Sequence, residues 1–426
     1  MTNFYFKCIV CEHEFEKDEV DYVCPLCGQN VEVKYDYKKI KKFFSIKKFK
    51  QNNDKTIWRY EKFLPIKKDE ITDRIQIFNT PLIKSINLSK ILGIKNLFFK
   101  DDTKLPSSSL KDRASSVVVA YGLQNKKENF VTASTGNAGC ALACICAMVG
   151  IKPSIFVPED APVNKLVQIA VYGAQLYKVK GNYDDCYNLV LKISSENKNV
   201  FNRSTGVNPF TREGKKTVSL EIWEQLGYEV PDIIFVPIGD GNIISGVWKG
   251  FKDLFELGLV EELPKLVGVQ SNLSNSVYLT LKKIERKYYS SKNKCYLVSI
   301  KDIFQKTKIE PVTATTVADS ISVNIPKDAY AAIKSIIESG GFVVEVKDED
   351  IIESIKILAQ NEGIFCEPAG ATAFAGLVQV NKYSSEIKEK KVVVLVTGHG
   401  LKDVKTVISS YPGIGKLVDK EGNEII

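Results

Sequence analysis

The sequence predicts an α/β protein of two doubly wound parallel-sheet domains behind a small N-terminal head. Three observations lead there. After residue 75, short β-branched runs alternate with helical stretches, the pattern of a parallel sheet with helices on both faces. Several of those runs are apolar throughout, as strands buried on both faces are. The first 30 residues carry two close cysteine pairs and too little apolar chain for a core of their own. At 426 residues, 44% hydrophobic and 26% charged, the chain has material for two or three packed units.

In chain order, the head comes first. Cys8-Ile9-Val10-Cys11 and Cys24-Pro25-Leu26-Cys27 are two Cys-x-x-Cys turns with twelve residues between them. Four thiolates on two tight turns make a tetrahedral sulfur cage, which suits Zn2+ in a ribbon; iron is the alternative occupant. Protein fills all four positions, so the expected metal is structural and supplies the folding energy of the head. Gly28 stands where the second turn needs a small residue. Residues 38–50, "KKIKKFFSIKKFK", hold much of the net charge of +8. They read as a solvated linker helix; the alternative, a nucleic-acid or membrane-surface patch, has no accompanying motif.

The body supplies the strands. They are "NLFFK" (96–100), "NFVTAS" (129–134), "PSIFVP" (153–158), "AQLYKV" (174–179), "IIFVPIG" (233–239), "KLVGVQ" (265–270) and "KVVVLVTG" (391–398). The run "AGCALACICAMVG" (138–150) reads as helix, with Cys140, Cys144 and Cys146 as small core residues. Residues 271–315 look irregular. No apolar run reaches the roughly 18 residues of a bilayer span. The N-terminus is charged and cysteine-bearing, unlike a signal peptide. A cytoplasmic protein without disulfides is expected.

Three glycine-rich turns follow strands: "STGNAG" (134–139), "GDGN" (239–242) and "TGHG" (397–400). Ligands of open α/β sheets bind beyond the carboxyl ends of strands. A fourth loop, "LPSSSLKDRASS" (105–116), places Lys111 at the mouth of a helix. "GDGN" also opens a helix, where backbone N–H groups cradle phosphate. There is no Walker loop and no GxGxxG with a ribose-binding acid, so the phosphate does not belong to ATP or NAD. A lone lysine beside a phosphate site points to pyridoxal 5'-phosphate, held covalently on the amine.

These residues meet a known pattern. "SSSLKDRASS" resembles the cofactor-lysine segment of the threonine synthase family, pyridoxal-phosphate enzymes of the tryptophan-synthase β fold. "NTPLIKSINLSK" (79–90), "STGNAG", "VNPFTREGKKT" (207–217), "EPAGA" (367–371) and "TGHGLKD" (397–403) are similar to further segments of that family, in the same order. The resemblance covers most of the chain. It implies that Lys111 carries the cofactor and acts as the catalytic base. It implies that Asn137 meets the pyridoxal 3'-oxygen, that Gly239, Asp240, Gly241, Asn242 and Ile243 hold the cofactor phosphate, and that Thr397 faces the pyridine nitrogen. Ser134, Thr135 and Ala138 would line the substrate carboxylate site. Asn208, Arg212 and Lys216 would grip an anionic substrate tail.

The implied layout is a head over 1–35, a basic linker over 36–75, a catalytic region over 76–412 and a tail over 413–426. A small substrate-binding subdomain would lie at about 110–215 within the catalytic region. The implied activity is conversion of O-phosphohomoserine and water to threonine and phosphate. The alternatives are a cysteate synthase-like replacement, a serine or threonine ammonia-lyase, or a non-catalytic ribbon protein. A homodimer acting on a small anionic amino acid is expected, with no nucleic-acid or membrane partner. Three departures from the pattern stand out. Ser108 replaces a glycine. The phosphate loop is short and carries Asp240. Lys215 replaces a frequent glutamine. Glu367, before Pro368, reads as a helix cap or as a cofactor neighbour.

Overall fold

The computed structural model describes residues 4–293, 295–409 and 420. The expected tail, 413–426, lies outside the described residues, residue 420 aside. The head is a three-stranded antiparallel sheet of β1 (Phe4–Cys8), β2 (Glu14–Phe15) and β3 (Val31–Tyr35), in the order β2-β1-β3. Its strands alternate, with Phe4, Phe6, Val31 and Val33 buried. Phe4 and Phe6 pack edge-on against Phe210, with ring centroids 6.0 and 5.9 Å apart. The head thus borrows its core from the body. The basic segment forms two short helices, Tyr37–Phe43 and Ile46–Gln51, that bury Ile40 and Phe49. Lys38, Lys39, Lys41, Lys42, Lys47, Lys48 and Lys50 stay exposed.

Two parallel sheets form the body, giving the α/β class expected. The larger is built from β4 (Leu82–Lys84), β5 (Asn96–Asp101), β10 (Ile233–Pro237), β11 (Lys265–Ser271), β14 (Phe342–Val346) and β15 (Lys391–Val396), in the order β14-β11-β10-β15-β5-β4. Only β4 runs antiparallel. The smaller is parallel throughout, in the order β8-β7-β6-β9, from β6 (Asn129–Ala133), β7 (Ser154–Pro158), β8 (Gln175–Val179) and β9 (Val200–Asn202). Val392 to Val396 are all buried, so both faces of β15 are covered, as its unbroken apolar run implied.

The 271–315 region is more regular than its sequence suggested. It holds the helix Ser276–Tyr288, the hairpin of β12 (Tyr289–Ser290) and β13 (Cys295–Tyr296), and the helix Ile300–Lys306. Val277, Leu281, Ile284 and Tyr288 form a buried stripe at spacings of four, three and four residues. Lysines and arginine on the remaining face mask that period. Among the described residues, no helix is long and apolar enough to cross a membrane.

Candidate active site

The site is assembled where strand ends of both sheets come together. Lys111 opens the helix Lys111–Gln124. The serine turn before it is clamped by Asp112, whose carboxylate accepts from Ser107 N at 2.7 Å and Ser107 Oγ at 2.5 Å. Leu110 N donates to Thr397 O at 2.9 Å, and His399 N donates to Ser108 O at 3.0 Å. Glu367 N in turn donates to Gly398 O at 3.0 Å. The Lys111 turn, the "TGHG" loop and Glu367 therefore form one hydrogen-bonded ladder.

Ser108 has φ +65°, the left-handed conformation that glycine adopts without cost. The turn keeps the glycine-like backbone while carrying a side chain. Replacing Ser108 with glycine should therefore stabilise the protein by about 1 kcal/mol. A denaturant midpoint unchanged or lowered in Ser108→Gly would contradict this.

From the smaller sheet, β6 ends in Ser134–Gly136 and the helix Asn137–Met148. A Cβ at Gly139 would lie 2.5 Å from Ser134 O, so the loop doubles back on its helix. Ser134 Oγ accepts from Gly136 N at 3.2 Å. Asn137 Nδ2 donates to Glu367 Oε1 at 2.8 Å and to Ser320 Oγ at 3.2 Å. Thr135, Asn137 and Glu367 line a cavity of about 350 Å3 that Lys402 also borders. Ala138 is partly exposed beside it. Burial pushes the Glu367 carboxyl up to about 7, against the opposing effects of Lys402 and the Asn137 amide.

From the larger sheet, β10 ends in Gly239-Asp240-Gly241, and Asn242 and Ile243 open the helix Asn242–Glu256. Gly241 has φ +90°, and a Cβ at Gly239 would meet Ile321 Cα at 2.9 Å. The loop is too tight for side chains at either glycine. The first N–H groups of a helix have no partner within it, and the helix dipole adds positive potential there. Asp240 does not turn away from this region. Its carboxylate accepts from Lys327 N at 3.1 Å and feels the charges of Lys111, Lys215 and Lys327.

The comparisons with known proteins agree on the family. A model of the pyridoxal-phosphate dependent enzymes matches residues 74–398. The chain is 36% identical over 403 residues to the threonine synthase of Methanocaldococcus jannaschii, covering 94% of each chain. It is 34% identical to that of Methanosarcina acetivorans, covering 95% of this chain and 94% of the relative. The chain belongs to the threonine synthase family of pyridoxal-phosphate dependent enzymes. Solved structures show the same fold at lower identity. The processed threonine deaminase isoform 2 of Solanum lycopersicum matches with a TM-score of 0.64 at 19% identity, covering 85% of this chain and 92% of that one. Maize serine racemase gives 0.64 at 23%, covering 80% and 94%.

Within this threonine synthase-family site, three residues fall away from the expected substrate grip. Arg212 is spent on Asp328, with its Nη2 at 2.6 and 2.8 Å from the two carboxylate oxygens. Lys216 is fully buried in ion pairs with Glu213 and Asp253, the latter at 2.7 Å. Asn208 shapes its own loop: its amide donates to Asn202 O at 2.8 Å and its Oδ1 accepts from Phe210 N at 2.9 Å. Buried charges are stable only when paired, and these are paired inside the protein.

Two other basic side chains are buried without an ion pair among the described residues. Arg203 is fully buried and meets only neutral oxygens: Ser115 Oγ at 3.0 Å, Thr205 Oγ1 at 2.7 Å and Lys111 O at 3.5 Å. Lys215 Nζ, also fully buried, donates to Asn242 Oδ1 at 2.5 Å. Among the described residues neither is in an ion pair. Burial pushes Arg203 down to about 10. Burial, then the charges of Lys111 and Arg203, hold Lys215 well below its ordinary value. Burial and Arg203 likewise push Lys111 down to about 8. Ser109 Oγ, two residues before Lys111, is buried with no hydrogen-bond partner among the described residues. Buried Arg203 and Lys215, partly buried Lys111, an unused hydroxyl and a loop closed to side chains at two glycines fit a phosphorylated cofactor and an anionic substrate.

The cysteines of the head fit a metal equally well. All four sulfurs lie within 4.8 Å of one another. Cys8 and Cys27 Sγ are 3.5 Å apart, and Cys11 and Cys24 Sγ 3.7 Å. A tetrahedron with metal–sulfur bonds of about 2.3 Å has edges of about 3.8 Å.

Proposed function

We propose that this protein converts O-phosphohomoserine and water to threonine and phosphate, with pyridoxal phosphate attached at Lys111. The observation that carries the reading is the pair of buried basic side chains held by neutral oxygens, Arg203 and Lys215, near a lysine whose amine is pushed down to about 8. A substrate bearing a phosphate supplies the missing negative charge. The cofactor, when bound, draws electrons from the substrate's Cα and makes protons at Cα and then Cβ labile.

The protein's own groups do the rest. Lys111 Nζ is the base at both carbons. Gly239 to Ile243 hold the cofactor phosphate at the helix start. Asn137, backed by Glu367, would hold the ring oxygen, and Thr397 would serve the ring nitrogen. A neutral hydroxyl at Thr397 does not keep that nitrogen protonated as a carboxylate would, which suits elimination and replacement. Ser134, Thr135 and Ala138 receive the substrate carboxylate. Arg203 and Lys215 stabilise the phosphate as its bond to Cγ breaks. The oxygen of water ends on Cβ, and protons return to Cα and Cγ. In the head, Cys8, Cys11, Cys24 and Cys27 hold a structural Zn2+.

A product assay with O-phosphohomoserine, O-phosphoserine, serine and threonine side by side tests the reading. Phosphate and threonine should appear together from the first substrate alone. A 2-oxo acid from serine or threonine, with no phosphate-linked product, would replace it with an ammonia-lyase. Lys215→Gln, which restores the residue common in the family, should lower kcat/KM for O-phosphohomoserine about 10- to 100-fold, the worth of one charge-assisted hydrogen bond. Cofactor content should not change. Wild-type kcat/KM in this variant would remove Lys215 from the substrate grip.

A further inference from the structure

Arg212, first expected to grip substrate, instead lies between the head and the phosphate loop. Asn30 follows the second cysteine turn, and both turns fix its backbone. Ile9 N donates to Asn30 O at 3.1 Å, and Val23 forms a β-bridge with Asn30. The Asn30 side chain reaches into the body, where Nδ2 donates to Lys327 O at 2.7 Å and to Asp328 Oδ1 at 2.8 Å. Next to it, Val31 O accepts from Arg212 Nη1 at 3.2 Å.

Asp328 is the hub beyond. Besides Arg212, its carboxylate accepts from Asn242 Nδ2 at 2.8 Å and Ser245 Oγ at 3.0 Å, both in the first turn of the phosphate-loop helix. Its backbone N donates to Asp240 O at 2.8 Å. A Cβ at Gly241 would lie 2.9 Å from Asp328 O, so residue 328 is packed directly on the loop. The joint itself is not tightly filled. A cavity of about 320 Å3, bordered by Ile9, Asn30, Ile325, Lys327 and Tyr330, lies between the head and the segment carrying Asp328. Where packing leaves a void, polar contacts set the alignment.

We infer that Asn30 is a positioning residue through which the cysteine head fixes Asp328, and through it Asp240, Asn242 and the place of the cofactor phosphate. This rests on the reading that residues 239–243 hold that phosphate. Asn30 touches neither cofactor nor substrate. It acts as the outer partners of a metal site do, by holding the groups that hold the ligand.

The experiment compares full-length wild type with Asn30→Ala and Asn30→Asp. Each is stripped of pyridoxal phosphate with hydroxylamine and titrated back with it, following visible absorbance, while bound zinc is counted per chain. Asn30→Ala should bind pyridoxal phosphate about 10-fold more weakly, as expected for a lost hydrogen bond to a charged group, and Asn30→Asp more weakly still, since it sets a carboxylate against Asp328. Both should keep their zinc. In wild-type holoenzyme, a chelator that removes zinc should release pyridoxal phosphate at the same time. Wild-type affinity in both variants, or cofactor retained after the zinc is gone, overturns the coupling. Zinc lost together with cofactor in the variants also overturns it, because Asn30 would then serve only the fold of the head. A wild-type chain that binds no pyridoxal phosphate would instead remove the reading of the loop, and the coupling with it.

Discussion

Lys111→Ala should abolish turnover and leave no covalent cofactor for borohydride to trap. The loss expected from removing both the attachment point and the base is at least 10³- to 10⁴-fold in kcat. The site offers no substitute amine. Lys215 Nζ is held on Asn242, and Lys402 Nζ donates to Gln168 Oε1 at 2.5 Å across the cavity. The electrostatics give a second readout. A lysine must lose its proton before it can attack, and Lys111 does so near pH 8 instead of about 10.4. The rate of pyridoxal phosphate attachment to the stripped enzyme should therefore climb from pH 7 to 9 and then flatten. A rate still rising in proportion to hydroxide at pH 10 would mean that Arg203 and burial do not act on Lys111 as described. Residual turnover at the wild-type level in Lys111→Ala would end the mechanism.

Arg113→Ala should be the most destabilising single change in the catalytic region, by about 3–5 kcal/mol. Arg113 lies two residues after Lys111 and is fully buried. Its Nε and Nη2 hold Asp102 at 2.8 and 2.9 Å, and its Nη1 and Nη2 hold Glu221 at 2.5 and 2.8 Å. Lys100 Nζ shares Glu221 at 2.6 Å. These contacts keep the Glu221 carboxyl at about 2, even though burial alone would raise it. Without the guanidinium, two carboxylates remain out of water with one lysine between them. The exposed pair Lys95–Glu389 is the control, and removing it should leave stability unchanged. An Arg113→Ala urea midpoint equal to that of the control would show that the cluster relaxes to admit water.

The local backbone of these loops was readable in the chain. The strand-end glycines, Lys111, Asn137 and Thr397 are backbone-driven features: a turn, a helix start and a strand end leave marks in local sequence. Ser108 looked like an irregularity and proved to keep the glycine conformation with a different residue. Charges were harder. Arg212 and Lys216 resemble an anion grip because sequence shows a charge without its partner. Asp328, which neutralises Arg212, is 116 residues further on. The same blindness hid Arg203 and Lys215, whose distinction is that neutral oxygens, with no ion pair among the described residues, hold them. Lys215 did carry a signal, as a lysine in place of a glutamine, while Arg203 carried none. The strand Phe342–Val346 went unnamed from sequence; Glu345 interrupts its apolar run.

The strand order of the larger sheet has a consequence of its own. The phosphate loop, the Thr397 loop and the segment leading to Lys111 leave β10, β15 and β5, which are consecutive neighbours. Adjacent strands sit about 4.8 Å apart, so the ends of the three strands are spread over about 10 Å by backbone hydrogen bonds alone. The pitch of the sheet acts as a ruler laid along the cofactor. Helices and surface loops around it can drift in length without altering that measure, whereas inserting a strand anywhere between β10 and β5 would separate Lys111 from the loop proposed to hold the cofactor phosphate.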